Sequence, residues 1–224
     1  MSEEQDEVKR VTRSKEEAKT TYDKMSKSYD AISGSSENKF KWIGLEFLDA
    51  KEGETLLELG FGTGKVLERL ARMAGENGKV HGIDLSPGML AITEKRLRKT
   101  GLLGRVELRL GDIAHLPYMN DQFDAIFTSF TFDLVDTPEI PVVLAECRKV
   151  LKTGGRICIV SLSRGNGRKV AVRVYEWFHE KFPKAIDCRP INAREALIAA
   201  GFSITREKRD SMWGLPVDIV LAKK

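Results

Sequence analysis

Cysteine is scarce in this chain. Cys147, Cys158 and Cys188 are odd in number, widely spaced and without a Cys-x-x-Cys pair. This excludes a disulfide framework and a thiolate zinc site, so no metal is expected, and it points to a reducing cytoplasm. Long apolar runs are missing too, none approaching the roughly 18 residues of a membrane span. The start, Ser2-Glu3-Glu4-Gln5-Asp6-Glu7, is acidic with no apolar core behind it, and so does not read as a signal peptide. Charge of one sign is not in excess: the net charge is +4, without the basic stripe of a dedicated nucleic-acid binder. No internal repeat or low-complexity segment is visible. What is present is an apolar fraction of 42% in 224 residues, enough for one domain to bury its core without staples. Residues 1–20 read as a charged N-terminal extension, and residues 21–224 as a single domain.

Within that domain one rhythm repeats. Apolar runs at Thr55–Leu59, Lys79–Ile83, Arg105–Leu110, Phe123–Thr128 and Arg156–Leu162 read as strands. Helix-like stretches lie between them at 64–74, 87–99 and 138–151, and another precedes them at 36–50. Ser86-Pro87 and Thr137-Pro138 each read as a cap followed by a first-turn proline. Alternation at this spacing predicts an α/β fold, a parallel sheet with right-handed crossovers covered on both faces. The crossover between Leu110 and Phe123 is short and turn-rich. Residues 163–190 break the rhythm and read as an insertion. A helix at 193–200 follows, with Asn192 and Glu195 at capping-box spacing and Gly201 as its stop. Two strands near 202–208 and 216–222 end the domain.

The strongest chemical signal is Glu58-Leu59-Gly60-Phe61-Gly62-Thr63-Gly64, where the first strand turns into a helix. Glycines allow a sharp turn and close approach of a ligand. A dinucleotide loop would place its third glycine at position 65, which is Lys65. Glu58 is also a poor neighbour for a pyrophosphate but a good one for an ammonium group. Asp84, ending the second run, can accept from both hydroxyls of a ribose and would repel a 2′-phosphate. Gly111-Asp112-Ile113, ending the third, can read an adenine edge. Three strand ends carrying acid or glycine in register form a ligand rim.

These motifs, with Phe123-Asp124 and Leu151-Lys152-Thr153-Gly154-Gly155, resemble the class I S-adenosylmethionine-dependent methyltransferases over about residues 20–222. Tyr22 to Asp30 is similar to the N-terminal entry of the ubiquinone/menaquinone-biosynthesis type. The resemblance implies a three-layer Rossmann-like sandwich whose seven-stranded sheet is mostly parallel with its last strand antiparallel. It implies S-adenosyl-L-methionine as cofactor, with Glu58, Gly60, Gly62 and Gly64 at its methionine end. Asp84 would hold the ribose, Leu85 and Met89 would flank the adenine, and Asp112 and Ile113 would meet its edge. Thr128 would lie beside the methyl donor, and Tyr29 would close over the site.

Attack on a sulfonium methyl needs alignment and a dry site more than a protein nucleophile. If the acceptor is a phenol or quinol, a base helps; the candidates are His179, Asp133 and Tyr175, with Asp133 either entering the acceptor pocket or capping the next helix. His115 reads as a solvent or cap residue and His81 as structural. Residues 22–30, 129–134, 163–190 and the Met212–Pro216 turn should build the pocket, with Trp213 and Arg189 as further candidates. The expected acceptor is a small molecule, such as a quinol or another lipophilic aromatic, reached by transient contact with a membrane surface. The expected assembly is a monomer or a homodimer. A nucleic-acid or protein acceptor is the alternative, although Thr128-Ser129-Phe130-Thr131 replaces the Asn/Asp-Pro-Pro-Tyr/Phe sequence of exocyclic-amine enzymes. A nicotinamide oxidoreductase is disfavoured by the glycine spacing, and a non-catalytic binding module that keeps the fold stays open.

Overall fold

The computed structural model describes residues 34–163 and 189–224, together with Glu16, Glu17, Thr20 and Asp23. Helix α1 spans Gly34–Leu48. Then come β1 (Thr55–Leu59), α2 (Lys65–Met73), β2 (Lys79–Asp84), α3 (Pro87–Lys99), β3 (Val106–Leu110) and β4 (Phe123–Ser129). Helix α4 (Ile140–Val150), β5 (Leu151–Leu162), α5 (Ala193–Ala199), β6 (Ser203–Met212) and β7 (Leu215–Lys223) complete the chain.

The strands form one seven-stranded sheet in the order β3-β2-β1-β4-β5-β7-β6. Every pairing from β3 to β5 is parallel, and β7 runs antiparallel to both of its neighbours. The expected fold class is therefore the one observed. Unbroken apolar runs follow from burial on both faces. On one face Leu56, Val80, Phe127, Cys158, Val160 and Ile219 pack with Phe40, Leu67, Leu70 and Leu97 of α1, α2 and α3. On the other, Leu57, Ile83, Ile126, Ile157, Ile159 and Val220 pack with Val143, Leu144 and Leu197 of α4 and α5. His81 is buried and makes edge-to-face contacts with Tyr118 and Phe123, the structural role expected of it.

Three local expectations need correction. Strand β5 begins at Leu151, not Arg156. The chain first pairs Leu151 with Phe123 and then jumps to Arg156 opposite Ala125, a bulge that absorbs the Thr153-Gly154-Gly155 turn at positive Gly154 φ. Thr137 does not cap α4 but starts a short 3-10 turn before it, which Asp136 caps by accepting from Thr137 N at 2.9 Å; at the N-cap of α4 itself Glu139 makes no side-chain capping bond. Asn192 stands at the N-cap of α5, but its side chain makes no capping bond, so the expected box with Glu195 does not form. By contrast, Ser86 caps α3 as expected, accepting from Met89 N, and Gly201 ends α5 at φ +81°. The segment between β3 and β4 holds no helix; Asp112 organises its first turn by accepting from Ala114 N at 2.9 Å.

The two ends of the sheet differ in chemistry. At the N-terminal ends of the strands, Arg156 reaches Leu48 O, Asp49 O and both oxygens of Glu54, while Asp124 accepts from Thr55 N and Lys152. These bonds tie α1, β1, β4 and β5 into one block. The C-terminal ends instead carry buried polar atoms with no partner.

Candidate ligand-binding site

The C-terminal rim brings together the residues singled out in the sequence. Leu59 lies opposite Ile83 of β2 and Thr128 of β4, and Asp84 lies opposite Leu110 of β3. The loop after β1, the acid ending β2, the Gly111-Asp112 turn and Thr128 therefore form one row. This is the side of a parallel sheet on which the strand-to-helix turns open.

All three loop glycines have positive φ, at +68°, +51° and +75°, a conformation that L side chains rarely adopt. Their surroundings differ, which refines the expectation that all of them admit a ligand. A Cβ on Gly60 would strike the Thr131 side chain, and one on Gly64 would strike Thr93. Only Gly62 would meet open space. Two glycines thus make room for the protein's own threonines, and the third faces the crevice. Gly62 N donates to Asp84 Oδ2 at 2.8 Å, Gly62 O accepts from Thr93 Oγ1 at 2.8 Å, and Thr63 O accepts from Arg96 Nε at 2.7 Å. The loop is stitched to β2 and α3 through groups that the sequence pattern did not reveal. Gly62→Ala is expected to cost about 1–2 kcal/mol, from the left-handed backbone alone. Gly60→Ala adds an overpacking cost of roughly 1–3 kcal/mol against Thr131. Urea denaturation checks the order of the two.

Glu58 points to the α1 side of the sheet and is 2% exposed, with Oε2 lacking any partner. Burial holds its carboxyl well above the usual range; the Lys41 charge and the Leu67 amide pull it down, and Asp84 pushes it up. A buried carboxyl with one oxygen unsatisfied is the signature of a group that awaits a cation or a donor. Asp84 is half-buried, and its carboxyl too is raised by burial despite backbone bonds. Oδ2 takes Gly62 N, and Oδ1 takes Ser86 N at 2.9 Å. A carboxylate has about four lone-pair sites; the Gly62, Ser86 and Leu85 amides draw on three, which leaves room for a ribose hydroxyl. Leu85, Asp112 and Ile113 are half-buried along the same rim, and Met89 is buried beneath it.

Asp23, in the N-terminal entry segment, accepts from Ser86 Oγ at 2.5 Å and Gly88 N at 2.9 Å, beside Asp84. The sequence assigned it no role; its position puts this one residue next to the acid that ends β2. Tyr29, Tyr175 and His179 lie outside the described residues.

Beyond β4 the chain turns through Phe130, whose φ of +55° is strained for a bulky residue. Its amide donates to Val160 O at 2.8 Å. Asp133 follows and is 0% exposed; Oδ2 accepts from Leu162 N at 3.1 Å, and Oδ1 has no partner. It caps neither element that follows: Asp136 caps the 3-10 turn, and Glu139 stands at the N-cap of α4. Burial raises the Asp133 carboxyl well above its usual range, and Glu37 adds to this while the Leu162 amide and Arg189 oppose it. Thr128 Oγ1 is likewise buried without a partner, next to the end of β1. Arg189 serves the backbone, donating to Val135 O at 2.6 Å and to Thr137 Oγ1, and Trp213 is 74% exposed at the tip of the β6–β7 hairpin. Among the described residues no cluster of acidic, histidine or cysteine side chains is arranged for a metal, and no helix is long and apolar enough to cross a membrane.

The rim fits the implied cofactor: an unsatisfied buried acid for an ammonium, an open glycine for close approach, and a second acid with acceptor capacity left for a ribose hydroxyl. Comparison with known proteins agrees. Residues 56–155 match the methyltransferase domain family. The chain is 33% identical over 147 residues to a demethylmenaquinone methyltransferase of Bacillus velezensis, covering 64% of this chain and 62% of that one. The chain thus spans less than two thirds of the length of that relative. Among solved structures, a SAM-dependent methyltransferase from Aquifex aeolicus is 26% identical, covering 90% of this chain and 97% of that one at a TM-score of 0.66. The [4+2]-cyclase SpnF is 19% identical at a TM-score of 0.74, covering 95% and 97%, and shares the fold.

Proposed function

We propose that this chain is a class I S-adenosylmethionine-dependent methyltransferase, which binds S-adenosylmethionine and passes its methyl to a small, lipophilic, quinol-type acceptor. The observation that carries the reading is the buried Glu58 carboxyl with its unpartnered oxygen, next to the one loop glycine that faces open space. The name of the Bacillus velezensis relative supports the acceptor class.

When bound, the cofactor supplies a methyl on a cationic sulfur. Glu58 and the loop amides hold its amino-acid arm, and Asp84 holds the ribose. Leu85, Met89, Asp112 and Ile113 frame the adenine. Thr128 contributes a hydroxyl at the reacting end, and Phe130 helps exclude water there, which strengthens every electrostatic contact inside. Asp133 is the candidate acceptor-side base: its buried, unpartnered oxygen can take the hydroxyl proton once the carboxyl is ionised, although burial favours the protonated form. Tyr29, Tyr175 and His179 complete the reading as a closing residue and two further candidate bases. The reaction belongs to the cytoplasm, with transient contact at a membrane surface for a prenylated acceptor.

The SpnF likeness keeps one other reading in play, since that protein carries a cyclase name on the same fold. Methyl-labelled S-adenosylmethionine incubated with the protein and a whole lipid and metabolite extract separates the two. Label in a lipid-soluble aromatic product, identified by mass, supports the proposal. Label in a water-soluble product removes the quinol part. Cofactor binding without any labelled product favours chemistry other than methyl transfer.

A further inference from the structure

We propose that Lys41 recognises the acceptor as an oxyanion, which narrows the substrate class to molecules with an acidic enol or phenol hydroxyl. This rests on the methyltransferase reading above and deepens it at the acceptor side.

Helix α1 is placed for the task by its packing. A Cβ on Gly44 would strike Val160 and Phe127, so α1 lies close on β4 and β5 there. Leu48, at its C-terminal end, accepts from Arg156, which lies opposite Ala125 in the first half of β5. The helix therefore runs against the strands, and its N-terminal half reaches their C-terminal rim. Lys41 and Glu37 stand one turn apart on that half. Lys41 Nζ donates to Glu37 Oε2 at 2.8 Å and lies 5.9 Å from the centroid of the Phe130 ring. The Lys41 and Glu37 side chains are only 15% and 13% exposed. An i,i+4 pair in water stabilises a helix only slightly, too little to account for keeping two charges out of water. The strained backbone of Phe130 turns its ring toward that ammonium. Asn38, between the two, has a buried side-chain oxygen with no partner.

The charges around Lys41 define what it can receive. Glu37 faces it from its own helix and Glu58 from β1, and Glu37 is also close enough to Asp133 to act on its carboxyl, as Arg189 does. On the β6 side Lys39 is paired with Asp210 at 2.7 Å. Arg189, the other buried cation near the β4 exit, is committed to Val135 O and Thr137. Lys41 spends one of its three N–H donors on Glu37. A bound phenolate or enolate oxygen can take another, its proton having passed to solvent or to Asp133. An opposite charge this close favours the ionised form of the ligand. Glu37 opposes that preference, so the pair has a sign that a structural role lacks.

The test uses 4-nitrophenol, whose ionised form is yellow, titrated into the full chain saturated with S-adenosylhomocysteine at a series of pH values. The bound probe is expected to ionise about one pH unit lower than free probe, a tenfold preference for the phenolate. Lys41→Met should abolish the shift, Lys41→Arg should keep it, and Glu37→Gln should enlarge it. A structural pair would move Lys41→Met and Glu37→Gln in the same direction, and that result overturns the proposal. So does an unshifted bound probe, a shift that survives Lys41→Met, or no phenolate binding at any pH. Absence of S-adenosylhomocysteine binding to the unaltered protein, read first by calorimetry, instead removes the methyltransferase reading on which the proposal stands.

Discussion

Asp84→Ala is expected to weaken S-adenosylhomocysteine binding by roughly 10- to 100-fold. A hydrogen bond from a ribose hydroxyl to a carboxylate contributes roughly 1.5–3 kcal/mol, and each 1.4 kcal/mol is a factor of ten. The side chain has a second duty, since it accepts from Gly62 N and Ser86 N and so fixes two of the turns that form the rim. Removing it leaves two amide donors short of partners, at about 1–3 kcal/mol each if they stay dry. Affinity and stability should therefore fall together in the alanine variant. Asp84→Asn separates the two effects. Its amide keeps one acceptor oxygen and turns the other position into a donor, which conflicts with Gly62 N and with a ribose hydroxyl that must donate. Calorimetry at a temperature where circular dichroism shows each variant folded reads the binding part. Unchanged affinity in Asp84→Ala would remove the ribose role, whatever the stability does.

What the sequence showed of this site was its backbone logic. The strand-to-helix rhythm placed β1, β2 and β4 within a residue of their observed ends, because fully buried parallel strands leave continuous apolar runs. The acids at 58 and 84 were legible because a charged residue ending such a run is conspicuous. The threonines that fill the space at Gly60 and Gly64 were not legible. Thr131 and Thr93 lie far from the loop in the chain, and only the packing of α3 and the β4 exit brings them there. The same holds for Asp23, whose partners Ser86 and Gly88 are more than sixty residues away. Glu37 and Lys41 did carry a local signal, their i,i+4 spacing, but that pattern is common on solvated helices. Only the close packing of α1 at Gly44 shows that this pair is turned inward. The start of β5 was misplaced for a similar reason: a glycine pair reads as a turn, and the bulge that keeps it inside the strand depends on β4.

Glu58→Gln is expected to lower S-adenosylhomocysteine affinity by roughly 100-fold, through loss of a charge-assisted bond in a dry site, and to change how binding depends on pH. Burial holds the Glu58 carboxyl protonated well above its ordinary range in the free protein. An ammonium group needs the ionised form. Binding to the unaltered protein should therefore tighten as pH rises toward the raised value, and it should release a proton. Calorimetry in two buffers of different ionisation heat detects that proton as a difference in apparent enthalpy. The same raised carboxyl has an opposite effect on folding. The folded state holds a proton that the unfolded chain has already lost above the ordinary value near 4.5. Stability from this group is thus greatest below that pH and falls as pH rises toward the raised one. Asp133 works on stability in the same direction, so stability alone does not separate the two acids. Ligand-linked proton release does, because only Glu58 is proposed to meet the ammonium. Asp133→Asn should keep the buffer-dependent enthalpy and Glu58→Gln should lose it. A Glu58→Gln protein that still releases a proton on binding would trace that proton to another acid of the rim, Asp84 among them, and remove Glu58 as its source.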